Sequence, residues 1–335
     1  MHLPHPFVHL PVIALSDQVD VTALVDKVLP RARKLADSCC VPIVTDDYRE
    51  ILDKVDAAIV ALPHHLHAPV TVDLLQRGIH VLVEKPMALK TSECDEMIKT
   101  ACDAGAILAV GLVRRFYESS QFVKRMLESG LLGDIIGFDL REGVVYGWNV
   151  RSDFMFQRQA GGGVLADTGA HALDTLLWWL GSYNSVEYYD DAMGGVEADC
   201  ELRLQLQSGA HGVVELSRTR NLRNTCIICG ERGILEVGID CNPLMRLRIN
   251  NQDVFLTGRV TRDGAAGKDI RDVFRRQLDD FADAIRNHRE PFVPGQEGRR
   301  AVELIEACYA SRQLLRQPWV FPQGPGNDVL EGVSL

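Results

Sequence analysis

The chain has 335 residues, of which 46% are hydrophobic and 24% are charged, and its formal net charge is −10. This composition is typical of a globular protein with a sizeable core and about two domains of roughly 150 residues. The acidic balance makes nucleic acid and anionic membranes poor partners, and no apolar run approaches the roughly 20 residues of a membrane span. Because the first residues lack the features of a signal peptide, we predict a cytoplasmic protein.

The nine cysteines are too few to build a dense disulfide framework in a chain of this length, which also favours a reducing compartment. Cys226 and Cys229 have CxxC spacing, but they fall in an apolar stretch typical of a strand, where positions three apart point to opposite faces. The histidines at 64, 65 and 67 have no carboxylate or cysteine beside them at ligand spacing. We therefore predict no metal site.

The first third of the chain alternates short apolar strands with helices. The predicted order is strand 19–25, helix 30–37, strand 41–44, helix 47–55, strand 57–61, helix 66–77, strand 80–83, helix 91–104 and strand 107–111. This alternation is typical of α/β proteins with a Rossmann-like parallel sheet, in which ligands bind at the carboxyl ends of the strands. We assign residues 1–113 to this domain.

After Arg114 the pattern changes to alternating segments that predict a largely antiparallel, open-faced sheet in an α+β domain. The predicted strands cover residues 135–145, 186–189, 200–206, 212–217, 224–229, 234–237 and 244–249, and helices follow at 269–288 and 296–316. We assign residues 114–325 to this domain and 326–335 to a tail. An uncovered apolar sheet face would need a partner, which predicts a homodimer or homotetramer.

The segment from Gly161 to Gly181 carries the densest set of polar groups. On a helix, Asp167, His171, Asp174 and Trp178 fall within roughly 60° of one another. The opposite stripe consists of Leu173, Leu176, Leu177 and Leu180. A carboxylate four residues before a histidine can orient the ring, as a general acid or base requires. The alternative is that Asp167 is an N-cap and His171 an ordinary surface residue.

Three glycines, Gly161, Gly162 and Gly163, precede that helix and would let a ligand or another backbone approach closely. Glu84-Lys85-Pro86 ends the fourth predicted strand. A lysine at that edge can hydrogen-bond a substrate hydroxyl and stabilise a developing alkoxide. The alternative is a solvated charge pair before a rigid turn.

Asp26 ends the first predicted strand, where a dinucleotide fold places a carboxylate on the adenosine ribose, although an aspartate there is also a common turn residue. The backbone of the segment with Pro63, His64 and His67 could border a bound dinucleotide. Arg114 and Arg115 could contact a polyhydroxylated or anionic substrate, and the alternative for either arginine is a surface salt bridge.

Together these residues resemble the glucose-fructose oxidoreductase/inositol dehydrogenase (Gfo/Idh/MocA) family over about residues 9–320. The matching motifs are Glu84-Lys85-Pro86, Pro63 to His67, Gly111 with Arg114-Arg115-Phe116, and the glycine run with Asp167, His171 and Asp174. The resemblance implies NAD or NADP on the first domain, with NAD slightly preferred because Asp26 would repel a 2′-phosphate. It also implies a sugar, cyclitol or sugar-nucleotide-like substrate on the second domain.

The resemblance assigns a role to each candidate residue. Lys85 would polarise the substrate hydroxyl, His171 would accept or donate its proton, and Asp167 would orient His171 or touch the substrate. The substrate-binding set is Arg114, Arg115, Asp167 and His171, and the cofactor-binding set is Asp26, Pro63, His64, His67, Glu84 and Lys85. The predicted enzyme transfers a hydride between nicotinamide and a hydroxyl or carbonyl carbon.

Two alternatives to this activity stay open. An NAD-using enzyme on the same scaffold could perform elimination or glycoside cleavage without net redox change. A family member without catalysis could have lost its phosphate loop, because the family's first strand and its Gly-x-Gly-x-x-Gly turn have no counterpart here. The missing central strand would leave two inner strands with unpaired groups, each costing about 1–3 kcal/mol if buried. We therefore hypothesise that the native N-terminus lies upstream of Met1.

Overall fold

The computed structural model describes residues 12–13, 16–147, 153–239, 244–250, 255–259 and 270–315. The hypothesis of a missing first strand concerns the segment before His9, which lies outside these ranges. The predicted tail, 326–335, lies outside them as well.

The first region has the predicted alternation of strands and helices, except that the helix predicted at 47–55 is only a short 3-10 turn, Tyr48–Ile51. Its elements are β1 (Ala23–Val25), α1 (Leu29–Cys39), β2 (Ile43–Thr45), β3 (Ala57–Val60), α2 (His67–Gln76), β4 (His80–Glu84), α3 (Thr91–Ala104) and β5 (Leu108–Gly111). Helix α3 begins and ends where the sequence predicts, because the Glu93 carboxylate accepts the backbone N–H of Lys90 and Gly105 takes a left-handed φ of 63°. All strand pairs in this region are parallel.

These five strands form two sheets rather than one. Strand β1 pairs with β2, while β4 lies between β3 and β5. Within the described residues, no strand joins the β1–β2 sheet to the β3–β4–β5 sheet.

The second region is built on one large mixed sheet. Its elements are α4 (Glu118–Glu128), β6 (Ile135–Gly143), α5 (Ala170–Leu180), β7 (Tyr183–Asp190), β8 (Asp199–Leu206), β9 (His211–Ser217), β10 (Thr225–Gly230), β11 (Gly233–Gly238), β12 (Leu244–Ile249), β13 (Phe255–Arg259), α6 (Ile270–Arg286), α7 (Gly295–Ala310) and β14 (Arg312–Leu314). The strand order is β13-β12-β11-β10-β6-β9-β8-β7-β14. Pairs β6–β9 and β7–β14 are parallel and the others antiparallel, which confirms the predicted fold class.

One face of this sheet packs on helices α5 and α7. Residues of alternate positions, such as Leu202 and Val214, form a core with Leu176 and Leu304 of these two helices. The other face carries ion pairs between Arg141 and Asp139, Arg203 and Glu201, and Arg246 and Glu236. This face is therefore mixed rather than purely apolar, because half-buried Val213, Ile227 and Ile234 lie on it among the charged side chains. The homo-oligomer stays a prediction.

The last helices return to the first region. Val273 and Phe274 of α6 belong to the core that contains Val83 and Val110, and the backbone N–H of Val110 donates to Val293 O at 3.0 Å. The core of the parallel sheet is thus completed by residues far beyond the predicted boundary at residue 113. The division at that residue remains a prediction about the chain's organisation.

Two further observations bear on the predicted class of protein. Within the described ranges, none of the helices combines the length and apolarity needed to cross a bilayer. In the same ranges, His, Cys, Asp and Glu side chains form no group of three suited to a metal ion. Cys226 is buried and Cys229 half-buried on β10, as expected for positions on opposite faces of a strand.

Candidate active site

Lys85 lies directly after β4, at the carboxyl edge of the three-stranded parallel sheet. Its side chain is only 2% exposed, and its Nζ lies 2.5 Å from Asp167 Oδ1 and 3.1 Å from Asp167 O. Glu84 is also buried, and its carboxylate accepts the backbone N–H of Lys85 at 3.1 Å. The alternative of a solvated charge pair is therefore wrong, and the predicted lysine and aspartate meet across the two regions.

Arg218 completes this group from the second region. Its guanidinium hydrogen-bonds Asp167 Oδ2, so the carboxylate lies between two cations. Burial alone would raise the pKa of Asp167, but the Lys85 ammonium and the Arg218 guanidinium outweigh it and hold that pKa well below its usual range. Arg218 follows β9 with no motif around it, so only the sheet topology brings it here and the sequence analysis missed it.

Asp167 and His171 occupy the start of one continuous helical segment. Asp167 lies in a π-helical turn, Leu165–Gly169, which leads directly into α5, and His171 lies in the first turn of α5. His171 is 8% exposed, which excludes the alternative of a surface residue. π-helical turns inside α-helices are frequent at functional sites.

The helix does not present a polar face as the sequence predicts. Asp174 is 2% exposed and accepts hydrogen bonds from Arg115 Nε at 2.9 Å and Nη2 at 2.6 Å. Arg115 also contacts Glu297 of α7 at 2.8 Å, and its guanidinium lies 5.3 Å from the ring centroid of Trp178. The expected polar stripe thus divides into a site at Asp167 and a buried ion-pair cluster at Asp174.

Arg114 also has a buried carboxylate partner. Its Nη1 and Nη2 donate to the two oxygens of Glu142 on β6 at 2.8 and 2.5 Å. Both arginines were expected to face a substrate or to form surface salt bridges. The structure instead places each guanidinium in a buried ion pair, and their contact with substrate stays an untested prediction.

The glycine run is packed against the protein itself. A Cβ at Gly161 would lie 2.4 Å from Leu89 Cδ2, one at Gly162 would lie 2.3 Å from Met155 O, and one at Gly163 would lie 2.2 Å from Glu197 Oε1. The close approach predicted at this run is therefore made by neighbouring segments of this chain.

His64 and His67 connect the loop after β3 to both regions. The Nδ1–H of His64 donates to Gly161 O at 2.7 Å, because a carbonyl oxygen only accepts. Burial, together with His67 and Lys85, lowers the pKa of His64 to about 3, so the ring is neutral and its Nε2 carries a lone pair. His67 is fully buried, with Nδ1 2.8 Å from Pro86 O and Nε2 2.9 Å from Leu62 O. His67 therefore ties the end of β3 to the end of β4.

Asp26 lies at the end of β1, as predicted. Its carboxylate accepts the backbone N–H of Val28 at 2.8 Å and two bonds from Arg31, at 2.7 and 2.8 Å. Asp26 therefore stabilises the turn after β1, which was the alternative to ribose binding, and it also forms an ion pair with Arg31. It does so at the position where a ribose-binding carboxylate is expected.

Several characterised proteins are similar to this chain in sequence. Trans-1,2-dihydrobenzene-1,2-diol dehydrogenase of Mus musculus is 29% identical over 66% of this chain and 67% of its own length. D-glucoside 3-dehydrogenase of Escherichia coli K12 is 31% identical over 58% of this chain, and the match spans 56% of that enzyme. D-xylose 1-dehydrogenase (NADP(+)) 2 of Haloferax volcanii is 25% identical over 91% of this chain and 93% of its own.

Solved structures share the fold at lower identity. Levoglucosan dehydrogenase in complex with NADH and levoglucosan has a TM-score of 0.82 at 19% identity, covering 92% of this chain and 95% of that one. The aldose-aldose oxidoreductase of Caulobacter crescentus complexed with glycerol has a TM-score of 0.79 at 24% identity, covering 91% and 93%.

Family models match both regions. Residues 6–112 match the oxidoreductase family with an NAD-binding Rossmann fold, and residues 120–236 match the GFO/IDH/MocA C-terminal domain. The two matches together span about two thirds of the chain and meet at the predicted change of pattern. The chain belongs to the Gfo/Idh/MocA family of NAD(P)-dependent oxidoreductases.

Proposed function

We propose that this protein is an NAD(P)-dependent dehydrogenase or reductase that acts on a CH–OH group of a sugar, cyclitol or sugar-nucleotide-like substrate. The observation that carries the proposal is the buried pair of Lys85 and Asp167 at the carboxyl edge of β4, with His171 one helical turn further along the chain. Ligands of open parallel sheets bind at that edge. Relatives that act on dihydrodiols, glucosides and xylose support the substrate class.

The residues present fit a nicotinamide dinucleotide at two places. Asp26 offers a carboxylate at the end of β1 for the adenosine ribose, and the loop with Pro63 and His64 lies beside the end of β4. The neutral His64 ring has an acceptor at Nε2 and would suit a ribose hydroxyl or an amide of the cofactor. The first glycine of the given sequence is Gly78, so residues 1–77 contain no glycine-rich phosphate motif and the proposed cofactor contacts do not include one.

When bound, the cofactor supplies the hydride acceptor or donor. Lys85 binds the reacting oxygen of the substrate, since Asp167 takes two of its three ammonium donors and the third is available. His171 removes the hydroxyl proton during oxidation and returns it during reduction. Asp167 remains ionised and orients these groups, because its pKa lies too low for proton exchange near neutral pH.

The charge of the group suits this role. Two cations, Lys85 and Arg218, face one carboxylate, Asp167, and the nearby His64 ring is neutral. Counting the buried Glu84 carboxylate, the charges of the group balance, and the Lys85 ammonium is the positive group that would face the substrate. A positive charge fixed beside the reacting oxygen stabilises the alkoxide that develops in the transition state.

The test combines the purified chain with NAD or NADP and a panel of sugars, glucosides, anhydrosugars and vicinal diols. Steady formation of reduced nicotinamide, followed by its absorbance, is the expected result. The matched control is Lys85→Met, which should abolish turnover while the protein still unfolds cooperatively. Equal turnover by the control would contradict the proposed role of Lys85.

A second candidate is non-redox chemistry in which the cofactor is regenerated in each cycle. It is favoured by one relative, 2,7-anhydro-N-acetylneuraminate hydratase of Mediterraneibacter gnavus, which is 24% identical over 58% of this chain and 54% of its own length. Product formation on anhydrosugars or glycosides without accumulation of reduced cofactor would select this candidate. If calorimetry detects no binding of either cofactor, neither activity applies and a non-catalytic role replaces both.

Two finer proposals accompany this function. We propose a cytoplasmic location, which agrees with the free state of the cysteines in the described ranges. We also propose that the chain forms a homodimer or homotetramer through the charged face of the large sheet. Light scattering across a salt series tests the latter, since an interface of ion pairs weakens as salt rises.

A further inference from the structure

Glu197 connects the candidate active site to the last helix of the chain. It lies in the loop between β7 and β8 and is 4% exposed. Its Oε1 accepts the backbone N–H of Leu165 at 2.9 Å and the hydroxyl of Tyr309 on α7 at 2.9 Å, and its carbonyl oxygen accepts the N–H of Val164 at 3.0 Å. Glu197 thus holds the main chain of Val164 and Leu165, where the π-helical turn that contains Asp167 begins.

The loop that carries Glu197 is itself fixed. Asp191 Oδ1 accepts the backbone N–H groups of Ala198 at 2.9 Å and Asp199 at 3.0 Å, which closes the loop directly after Glu197. Gly163 has a φ of +113°, and a Cβ there would lie 2.2 Å from Glu197 Oε1. A glycine at this position therefore leaves space for the carboxylate, and any larger residue would have to displace it.

The position of this turn controls the position of Lys85. The ammonium of Lys85 binds both the side chain and the main-chain carbonyl of Asp167, so it responds to the backbone of the turn as well as to the carboxylate. A shift of Leu165 away from Glu197 would move both acceptors together. A change of about 1 Å in such a position can cost about 10²-fold in rate.

We propose that Glu197 and Tyr309 are positioning residues that hold the Asp167 turn, and through it Lys85, in the geometry needed for catalysis. This inference rests on the proposed dehydrogenase function for its kinetic consequence. Its structural part, the fixed position of Lys85, does not depend on that function.

The test compares four variants of the full chain. Glu197→Ala removes the carboxylate that accepts the hydrogen bonds from Leu165 and Tyr309, and should lower kcat by about 10²-fold with little change in KM for the cofactor. Glu197→Gln keeps an amide oxygen for Leu165 and should restore most of the rate. Tyr309→Phe removes one hydrogen bond and should lower kcat by about 5-fold. Tyr188→Phe is the matched control, because it removes the hydroxyl of a neighbouring buried tyrosine and leaves the Glu197 bonds in place.

A second readout does not require turnover. Labelling of Lys85 by an amine-reactive reagent, measured by peptide mass spectrometry against the exposed Lys99, should rise in Glu197→Ala and Tyr309→Phe and stay at the wild-type level in Tyr188→Phe. A wild-type protein without turnover on any substrate would refute the proposed function, and the labelling would still decide this inference. Unchanged Lys85 labelling in Glu197→Ala, or unchanged kcat in an active enzyme, overturns it.

Discussion

The helical segment Leu165–Leu180 carries two buried ion-pair clusters that differ in their partners. The first, the site cluster, consists of Lys85, Asp167 and Arg218. The second, the helix cluster, consists of Arg115, Asp174 and Glu297. The site cluster joins the first region to the second, whereas the helix cluster lies within the second region, and both join the helix to segments distant in the sequence.

The difference lies in the charge at the centre of each cluster. In the site cluster, two cations lie on either side of one carboxylate, Asp167, at the carboxyl edge of a parallel sheet. The helix cluster has two carboxylates around Arg115, which is also covered by the ring of Trp178. In our proposal the first arrangement acts on a substrate oxygen, whereas the ion pairs of the second fasten α5 to α7 and to the turn before α4. Residue type alone does not separate these roles.

The largest expected effect concerns the site cluster and its histidine. His171→Ala should lower kcat by about 10²–10⁴-fold, because it removes the group that exchanges the substrate proton. Affinity for the reduced cofactor, measured by fluorescence titration, should stay near the wild-type value. The control is His211→Ala, an exposed histidine at the start of β9. Equal losses of cofactor affinity and kcat in His171→Ala would argue against proton transfer.

The next effect concerns the helix cluster and appears in stability. Arg115→Met should destabilise the fold by about 3–5 kcal/mol, since it leaves the Asp174 carboxylate buried without its main partner. The double variant Arg115→Met/Asp174→Leu should recover much of that loss, because no uncompensated charge remains. Urea denaturation measures both. A double variant as unstable as the single one would contradict this expectation, because the loss would then not come from an unpaired buried charge.

The pH dependence of stability should distinguish Asp167 from surface carboxylates. Its pKa in the folded state lies well below the usual 3.8, so its contribution to stability is present above that pH and is lost as the pH falls toward the folded-state pKa. The stability difference between the wild type and Asp167→Asn should therefore shrink as the pH is lowered through this window in urea denaturation. Asp103→Asn, at an exposed carboxylate, should show no such trend. A difference that stays constant with pH contradicts this assignment.

The smallest effect concerns the exposed pair of Asp26 and Arg31. Arg31→Ala should change stability by less than about 1 kcal/mol, as is usual for exposed ion pairs. It should nevertheless lower the affinity for NADPH relative to NADH, because it removes a cation and leaves the Asp26 carboxylate to repel a 2′-phosphate. Fluorescence titration with both cofactors measures the ratio. Arg33→Ala, which removes a nearby exposed charge, should leave the ratio closer to the wild-type value.

Local patterns in the sequence predict most of the secondary structure. The ends of α3 follow from Glu93 and Gly105, and β10 follows from its alternation. Strand β14 was predicted as part of a helix, since three residues of mixed character become a strand only by pairing with β7. Helix α4 and strand β13 were missed entirely. The apolar spacing of Phe122, Val123 and Met126 was a signal that would have indicated α4.

The candidate site was predicted in part. Lys85, Asp167 and His171 were found because each belongs to a motif with a recognisable local spacing. Arg218, Glu197 and Tyr309 belong to no motif, and they reach the Asp167 turn from three different elements. Their chemistry depends on neighbours more than 30 residues away, to which a local pattern is insensitive.

The amino-acid sequence by itself determined the family, the alternation of strands and helices and three of the polar residues at the site, because helix and strand periodicity and motif spacing are local properties. Only the tertiary structure decided which charged groups meet. It placed Asp167 between two cations and Asp174 against Arg115, although the two aspartates lie seven residues apart on one helical segment. The reason is that the partner of a buried charge is set by the elements that pack around it, and those come from the whole length of the chain.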